Sequence, residues 1–202
     1  MKDAWNERYA PEEYIFGELP NEFLKENLPK VMGSILFPAE GEGRNALYAA
    51  QLGWTVSAFD ISDVGKQKAK KLFYKYNVKV DYIISEYDNL PFLENQFDIV
   101  ALIYAHVPAE IKSDFNKKSV ELLKTDGIVI FEAFSKNHGD YIRANPNVGG
   151  PTTESWLFSK EDILNDFSNF EIVYLNEEVI TLNEGPKHNG VGSVIRFIGK
   201  KK

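Results

Sequence analysis

The sequence predicts an α/β protein in which a single doubly wound sheet carries helices on both faces. Three observations favour this fold class. From residue 34 onward, short β-rich runs alternate with stretches of helical periodicity. A glycine-rich turn separates the first of these strands from the first helix. The last two predicted strands follow each other with no helix between them, so they are expected to pair antiparallel.

The alternating part of the chain predicts five parallel strands joined by crossover helices. Parallel neighbours need a connection long enough to bring the chain back, and helices of this length provide it. In the helix predicted at 109–123, Ile111 and Phe115 lie on an apolar face while Lys112 and Asp114 lie on other faces. The predicted strands are 34–37, 55–59, 80–84, 97–103 and 127–133, and the other crossover helices are 44–52 and 62–76.

The final third of the chain predicts a short helix at 159–166 and two strands at 170–182 and 191–198. The Gly-, Pro- and Asn-rich stretch 183–190 is long enough for a broad hairpin connection between them. We expect helical segments in residues 1–30, packed on the edge of the sheet or over a cleft. Residues 137–153 are expected to form a mobile loop beside the same cleft.

Composition excludes several classes of function. The 202 residues, of which 44% are hydrophobic, suit one domain, and the formal net charge of -7 disfavours nucleic acid and anionic membranes as partners. There is no cysteine, and the three histidines are too scattered to suggest a metal site. No apolar run is long enough to span a bilayer, and the N-terminal residues lack a signal-peptide pattern. We therefore expect a cytoplasmic protein whose partner is a small molecule.

The most informative stretch is ILFPAEGEGRN at 35–45, where a strand ends, glycines follow and a helix begins. Gly41, Gly43 and Ala46 fit the pattern G-x-G-x-x-G/A. Asp60 ends the next strand 19 residues after Gly41, near the spacing usual for a carboxylate that binds a ribose. The glycines are also consistent with a turn that needs positive φ, and Asp60 with a helix cap.

The charges of this loop distinguish two kinds of nucleotide ligand. Glu40 and Glu42 flank the first glycine, and they would repel the pyrophosphate of NAD in a partly dry site. S-adenosylmethionine offers Asp60 the same ribose hydroxyls, but it carries an ammonium and a sulfonium group in place of phosphate. The sequence therefore favours S-adenosylmethionine, and an NAD-dependent oxidoreductase is the alternative.

The chain resembles the class I S-adenosylmethionine-dependent methyltransferases, and within them the group that includes tellurite-resistance and thiopurine methyltransferases. The motifs that carry the resemblance are WNERY at 5–9, FGELPN at 16–21, GEGRN at 41–45, VSAFDIS at 56–62, LPF at 90–92, FDIVALIYAHVP at 97–108, LLKTDG at 122–127 and EGPKHNG at 184–190. The resemblance implies a Rossmann-like sheet of seven strands in the order 3-2-1-4-5-7-6. It also implies a single methyltransferase domain over 1–202, with 1–30 as a helical lid.

The first motif departs from the family pattern in one respect. An acid usually stands two residues before the first loop glycine, and Phe37 and Ala39 occupy that region here. We expect Glu40 to take over the contact with the methionyl part of the cofactor. The cofactor-binding residues that the motifs and the resemblance imply are Ala39, Glu40, Gly41, Glu42, Gly43, Asn45, Asp60, Ile61, Glu86, Tyr87, Tyr104 and Ala105.

Catalytic and substrate-binding candidates come from three places in the chain. His106 follows the fourth strand, and an imidazole there could accept a proton from the substrate, although such a histidine is more often simply hydrogen-bonded. His188 in the hairpin connection is a second candidate, and His138 has no comparable support. The amino-terminal residues resemble the family's lid over the methyl-transfer centre, with Tyr9 as a catalytic candidate. The substrate-binding candidates there are Trp5, Arg8, Tyr14 and Phe16.

The function predicted from these residues is methyl transfer from S-adenosylmethionine to a small-molecule nucleophile, with S-adenosylhomocysteine as product. Thiols, thiopurines and metalloid species are possible acceptors. Such a reaction depends mainly on aligning the nucleophile, the methyl carbon and the sulfur, so few obligatory catalytic residues are expected. A module that binds the cofactor without turnover is a third possibility, because Phe37 and Ala39 stand at unusual positions.

Overall fold

Seven strands form one sheet in the computed structural model, which describes all 202 residues. The strand order is β3-β2-β1-β4-β5-β7-β6, as the resemblance implied. Strands β1 to β5 pair in parallel, and β7 pairs antiparallel with both β5 and β6. The strands are β1 Ser34–Pro38, β2 Thr55–Asp60, β3 Asp81–Ile84, β4 Phe97–Ile103, β5 Leu123–Phe134, β6 Phe170–Asn183 and β7 Asn189–Lys201.

The helices cover both faces of this sheet, which confirms the predicted fold class. In β1, Leu36 packs into a core that includes Phe115 and Ile163, whereas its neighbours Ile35 and Phe37 pack into a second core on the other face. This alternation follows from the two-residue period of a strand. The helices are α1 Lys2–Tyr9, α2 Glu22–Asn27, α3 Arg44–Gln51, α4 Asp63–Lys75, α5 Ala109–Glu121, α6 Gly139–Ala144 and α7 Lys160–Asp166.

Local sequence explains where the crossover helices begin. The Ser62 side chain accepts a hydrogen bond from the Gly65 amide at the start of α4. Ser159 and Asp162 form a capping box at the start of α7. Helix α3 is preceded by Gly43, whose φ of 90° lies in the left-handed region that favours glycine. Helices α3 and α4 begin just after β1 and β2, at the carboxyl-end edge of the sheet where open α/β sheets bind their ligands.

Two expectations about local structure need correction. Residues 137–153 do not form an irregular loop, because they contain α6 and short 3₁₀ turns at Lys136–His138 and Pro146–Val148. The His138 ring fixes this segment, since Nε2 lies 3.0 Å from the Gly149 carbonyl and Nδ1 accepts from the Ser193 amide at 3.2 Å. Strand β5 begins at Leu123 rather than Gly127, because Leu123 still pairs with Phe97 below an irregularity in the register. None of the helices is long and apolar enough to cross a membrane.

Candidate functional site

A cavity of about 790 Å³ lies at the carboxyl ends of the parallel strands. Most of the residues that the sequence singled out line it. Those residues are Trp5, Arg8, Tyr9, Phe16, Ala39, Glu40, Asn45, Asp60, Ile61, Glu86, Tyr87, Tyr104, His106 and His188. Five others do not reach the cavity lining, namely Tyr14, Gly41, Glu42, Gly43 and Ala105.

Helix α1 covers the cavity with one face. Its lining residues are Ala4, Trp5, Arg8 and Tyr9, together with Met1 just before the helix, and this spacing is that of a single helical stripe. The Trp5 and Tyr9 rings stack at 5.3 Å between centroids, and the Arg8 guanidinium lies over the Trp5 ring at 5.1 Å. Helix α1 therefore lies against the cavity, and its function as a lid stays a prediction.

The glycine loop is shaped to receive Tyr9. A Cβ atom on Gly41 would lie 2.4 Å from the Tyr9 hydroxyl, and one on Gly65 would lie 3.1 Å from the Tyr9 ring. Gly43 is needed for a different contact, because a Cβ there would lie 2.7 Å from that of Ala69 in α4. Both loop glycines have positive φ, which agrees with the turn interpretation of the pattern, and their predicted contact with the cofactor stays a prediction.

Glu40 is the loop carboxylate that faces the cavity. Its Oε1 accepts a hydrogen bond of 2.7 Å from the Ala46 amide in the first turn of α3. A carboxylate at this place satisfies an amide that a bound phosphate would otherwise use. Burial raises the pKa of Glu40 to about 7, and the hydrogen bond from Ala46 and the charge of Arg44 offset part of that increase. Glu40 would ionise more readily if a cation lay beside it.

Glu42 points away from the cavity, contrary to the prediction that both loop carboxylates face the cofactor. It is buried, and its Oε1 lies 2.6 Å from Nζ of Lys68 in α4. Its other oxygen accepts a weak hydrogen bond of 3.4 Å from the Phe16 amide. Burial raises the pKa of Glu42, while Lys68 acts in the opposite direction. The pair fastens the glycine loop to α4.

Asp60 has two functions in the structure. Its oxygens accept hydrogen bonds from the amides of Gly41 at 2.9 Å and Ser62 at 2.8 Å, so it ties the glycine loop to the end of β2. It also lines the cavity, where a ribose hydroxyl could reach it. Burial raises the pKa of Asp60 to about 6, although its hydrogen bonds from backbone amides act in the opposite direction. Its predicted ribose contact stays a prediction.

The predicted adenine end of the cavity lies after β3. Glu86, Tyr87 and Asp88 line it together with Ile61 from the end of β2. The Tyr87 ring meets Phe115 of α5 edge-on, with 5.6 Å between centroids, and both residues line the cavity.

Tyr104 follows β4 with a φ of 51°, which is unusual for a residue other than glycine. Its ring lies 4.7 Å from that of Phe134 and 4.5 Å from that of His188. The hydroxyl group is buried and makes no hydrogen bond. Ala105 is buried and does not line the cavity.

The His106 ring lines the cavity with both nitrogens hydrogen-bonded to the backbone. Nδ1 lies 3.1 Å from the Trp156 carbonyl, and Nε2 accepts from the Phe134 amide at 3.1 Å. Burial lowers the pKa of His106 to about 3, although the bond to Trp156 acts in the opposite direction. His106 would have to break a backbone hydrogen bond before it could accept a substrate proton, so a positioning role fits this arrangement better.

His188 differs from the other two histidines. Its Nδ1 lies 3.2 Å from Glu184 Oε2, and its Nε2 makes no hydrogen bond with the protein although the residue lines the cavity. Sequence reasoning chose His188 but missed Glu184. The signal was present in EGPKHNG, where an acid precedes a histidine by four residues.

Tyr14, predicted to bind substrate, lies outside the cavity. Its hydroxyl donates to the Lys68 carbonyl at 3.0 Å, and Nζ of Lys68 lies 4.9 Å from the centre of its ring. The same Nζ donates to the carbonyls of Pro11 and Glu13 at 2.7 Å. Tyr14 thus helps to attach the segment after α1 to α4.

Comparisons with known proteins agree with this geometry. Residues 35–127, from β1 into β5, match the family model described as a methyltransferase domain. No curated protein sequence matches the chain significantly. The fold is similar to that of the protein solved for "Conversion of a Disulfide Bond into a Thioacetal Group during Echinomycin Biosynthesis", with a TM-score of 0.78 and 15% identity over 100% of this chain and 92% of that chain.

Two further solved structures have the same fold. TehB from Haemophilus influenzae has a TM-score of 0.71 and 15% identity, covering 100% of this chain and 67% of that chain. Magnesium protoporphyrin IX methyltransferase from Synechocystis PCC 6803, solved with bound SAH, has a TM-score of 0.63 and 17% identity over 100% of this chain and 83% of that chain.

Proposed function

We propose that this chain is an S-adenosylmethionine-dependent methyltransferase of the class I fold, and that it transfers the methyl group of S-adenosylmethionine to a small-molecule nucleophile. The observation that carries the proposal is that the two sides of the cavity have different lining residues. Glu40, Asp60 and Glu86 line it beside β1, β2 and β3, whereas Phe134 and His188 line it beside β5 and the β6–β7 hairpin. One side suits a cationic nucleoside and the other suits an apolar acceptor.

The residues of the acidic side fit the cofactor by their chemistry. Four carboxylates, those of Glu40, Asp60, Glu86 and Asp88, line the cavity, and they can accept hydrogen bonds from hydroxyl and ammonium groups. When bound, S-adenosylmethionine supplies an activated methyl group, and the carbon–sulfur bond breaks with its electron pair remaining on sulfur. The protein has to orient the acceptor and to exclude water.

The position of Glu40 opposes the alternative of an NAD-dependent oxidoreductase. In a dinucleotide-binding crossover the pyrophosphate takes hydrogen bonds from amides at the helix N-terminus. The Glu40 carboxylate already accepts from the Ala46 amide there, and a pyrophosphate would meet its negative charge at short range. The match to a methyltransferase domain agrees with this view.

The size of the cavity supports a small acceptor. Ligand sites commonly measure about 300 to 1,000 Å³. The 790 Å³ available here would hold the cofactor and leave room for a compact second molecule below α1. We propose that residues 1–202 form one domain, with 1–30 as a lid that closes this space. The contacts that support the lid are those of Tyr9 with the glycine loop and the 2.7 Å hydrogen bond from the Ser62 hydroxyl to Asn6. The cytoplasm is the proposed location.

Two measurements test the proposed function. In a thermal-shift experiment, S-adenosylhomocysteine at 100 times its Kd should stabilise the protein by about 2.7 kcal/mol, and NAD should not stabilise it. A methyl-donor assay over thiols, thiopurines and oxyanions of tellurium and selenium, read out by product mass, should find a methylated product. Stabilisation by NAD alone would refute the choice of cofactor. Cofactor binding with no product across the panel would favour a binding module without turnover.

A further inference from the structure

The hairpin between β6 and β7 holds a carboxylate and an imidazole in contact at the edge of the cavity. The Glu184 amide donates to the His188 carbonyl at 2.8 Å, and the Lys187 amide donates to the Ile15 carbonyl at 3.1 Å. Gly185 has a φ of 74°, and a Cβ there would lie 2.4 Å from the Gly17 amide nitrogen. The hairpin connection is therefore held by a hydrogen bond within itself and by contacts with Ile15 and Gly17. As a result, the Glu184 and His188 side chains keep a defined geometry.

Glu184 is held as an anion by two other buried groups. Arg44 donates to its Oε2 at 2.8 Å, and Asn21 donates to its Oε1 at 2.9 Å. The Arg44 and Glu184 side chains are 8% and 9% exposed, so water screens their attraction little. Burial by itself would raise the pKa of Glu184, but the charge of Arg44 and the hydrogen bond from His188 outweigh it and hold the pKa at about 2.

The contact with Glu184 selects one tautomer of His188. An ionised carboxylate can only accept, so Nδ1 carries the proton and donates it, and Nε2 keeps a lone pair. The ring is fixed by Phe16 and Tyr104, each at 4.5 Å between centroids, and by Phe134 at 5.2 Å. Burial lowers the pKa of His188, and Glu184 acts in the opposite direction, so the ring is neutral at pH 7.

The three histidines of the chain can be compared directly. His106 and His138 have both ring nitrogens within hydrogen-bond distance of backbone groups. Only His188 has a ring nitrogen with no partner in the protein, and it also lines the cavity. Because the residue lines the cavity and Nε2 is not a buried atom, this nitrogen is accessible to a molecule bound there and is free to accept its proton.

We propose that Glu184 and His188 form a proton-accepting pair, and that the acceptor enters as a neutral molecule that carries its nucleophilic atom in protonated form. This inference rests on the proposed function. The proton of the acceptor moves to Nε2 of His188, and the electron pair left on the nucleophilic atom forms the bond to the methyl carbon. Glu184 is a positioning residue that stabilises the imidazolium until water removes the proton. A thiol attached to an apolar or aromatic body is the acceptor that we favour.

The charges around the cavity support a neutral acceptor. Glu40, Asp60, Glu86 and Asp88 contribute four carboxylates to its lining, whereas the only cationic side chains there are those of Arg8 and Arg44. The second of these is already paired with Glu184. Arg8 is therefore the one lining side-chain cation not paired with a carboxylate that could meet an oxyanion, whereas a neutral thiol needs no cationic partner. Such a thiol needs a base, because only its ionised form attacks well.

Two thiols of different acidity test the proton transfer. 4-Nitrothiophenol is ionised at neutral pH, whereas phenylmethanethiol is protonated. His188→Gln should slow methylation of phenylmethanethiol by about 100-fold or more, and that of 4-nitrothiophenol by less than about 5-fold. His138→Gln is the matched control, because His138 is buried outside the cavity lining. It should lower Tm and slow both thiols equally. An equal loss for the two thiols in His188→Gln would overturn the proposal.

Nuclear magnetic resonance provides a test that does not depend on turnover. In the full chain with S-adenosylhomocysteine bound at pH 7.5, the ¹⁵N shifts of His188 should show a protonated Nδ1 and an unprotonated Nε2. Glu184→Gln should weaken this preference, because an amide can donate as well as accept, and should slow phenylmethanethiol by about 10- to 100-fold more than it slows 4-nitrothiophenol. An Nε2–H tautomer or an imidazolium in the wild-type protein would overturn the pair. If neither thiol is methylated, the thiol acceptor fails, and the ¹⁵N shifts still decide the proton-accepting pair separately.

The dependence of rate on pH offers a further check. Activity toward phenylmethanethiol should fall as the pH drops below the pKa of His188, which lies below its ordinary value of 6.5. Activity toward 4-nitrothiophenol should not fall in this pH range, as long as the pH stays above the pKa of that thiol. The titrating and charged groups that face His188 are Glu184, Arg44, Arg8, Tyr104, His106 and His138. A fall that is identical for both thiols would contradict the assignment to His188.

Discussion

Replacing Glu40 with glutamine changes the charge of the site while leaving its shape almost unaltered. The amide oxygen of the variant can still accept the hydrogen bond from Ala46, so the start of α3 keeps its partner. The negative charge beside the cofactor is lost. Glu40→Gln should therefore bind S-adenosylhomocysteine less tightly, and its Tm without ligand should be no lower than that of the wild-type protein.

The size of the effect follows from the charge and from the pKa. A hydrogen bond to a charged group contributes about 1.5 to 3 kcal/mol, so removing the charge should raise Kd by about 10- to 150-fold at pH 8. With a pKa of about 7, Glu40 in the free protein is mostly ionised at pH 8 and mostly protonated at pH 6. Wild-type affinity should fall by about 10-fold between these values, while the Gln variant keeps only a smaller dependence from Asp60.

Titration calorimetry with S-adenosylhomocysteine measures the loss of affinity in the variant and the dependence of affinity on pH. Runs at pH 6 and pH 8, each in two buffers with different heats of ionisation, give Kd and the number of protons released. We expect the wild-type protein to release a proton at pH 7, because the ammonium group of the ligand favours the ionised Glu40. Glu42→Gln is the matched control, since that carboxylate lies in the same loop but pairs with Lys68. Its Kd should stay within about twofold, although its Tm should drop.

Equal Kd values for the wild-type protein and Glu40→Gln at pH 8 would refute the assignment of Glu40 to the cofactor. Proton uptake in place of release would show that the ligand brings negative charge to Glu40, as a pyrophosphate would. An effect of Glu42→Gln as large as that of Glu40→Gln would mean that the loop acts through its overall charge. In that case the direction in which each carboxylate points would be irrelevant.

Three further predictions concern the lid and the buried network. Gly41→Ala would place a Cβ 2.4 Å from the Tyr9 hydroxyl, so tryptic cleavage after Arg8 should accelerate and kcat should fall. Asn21→Ala should cost about 2 to 4 kcal/mol in urea unfolding, because Asn21 caps α2 and donates to two buried carboxylates. The pKa of Glu184, about 2 when folded against 4.5 ordinarily, predicts stability that is present above pH 4.5 and lost towards pH 2. In Glu184→Gln, the free energy of unfolding should therefore depend less on pH between pH 4.5 and pH 2 than in the wild-type protein.

The fold could be predicted because its signals are local. Each strand of the parallel sheet is a short apolar run, and each crossover helix has one apolar face. For this reason β4 was predicted with its observed bounds of Phe97–Ile103 and α3 to within one residue. The antiparallel end of the sheet followed from the lack of a helix between β6 and β7. The ends of β5 and the helical turns at 137–153 were missed, because partners far away in the chain fix them, as Ser193 fixes His138.

The directions of the site side chains could not be predicted in the same way. Glu40 and Glu42 lie in one loop two residues apart, yet only the first faces the cavity. The difference arises from Lys68 on α4, whose Nζ lies 2.6 Å from Glu42. Similarly, His106 was assigned by its place after β4, but its freedom to accept a proton depends on Trp156, 50 residues away. The charge and order of residues along the chain indicate which of them lie close together. Contacts between distant parts of the chain determine which of their atoms remain available to bind a ligand.

This difference explains why the cofactor could be predicted from sequence more readily than the acceptor. The acidic side of the cavity is built by residues at the ends of consecutive strands, such as Glu40 after β1 and Asp60 at the end of β2, and the topology of a parallel sheet brings such ends together. The other side is built by the segment before β1 and by the hairpin, where Phe16 meets His188 across most of the chain length. Substitutions in those two segments could alter the acceptor while leaving Glu40 and Asp60 in place. Specificity changes should therefore be sought at the Phe16 and His188 contact.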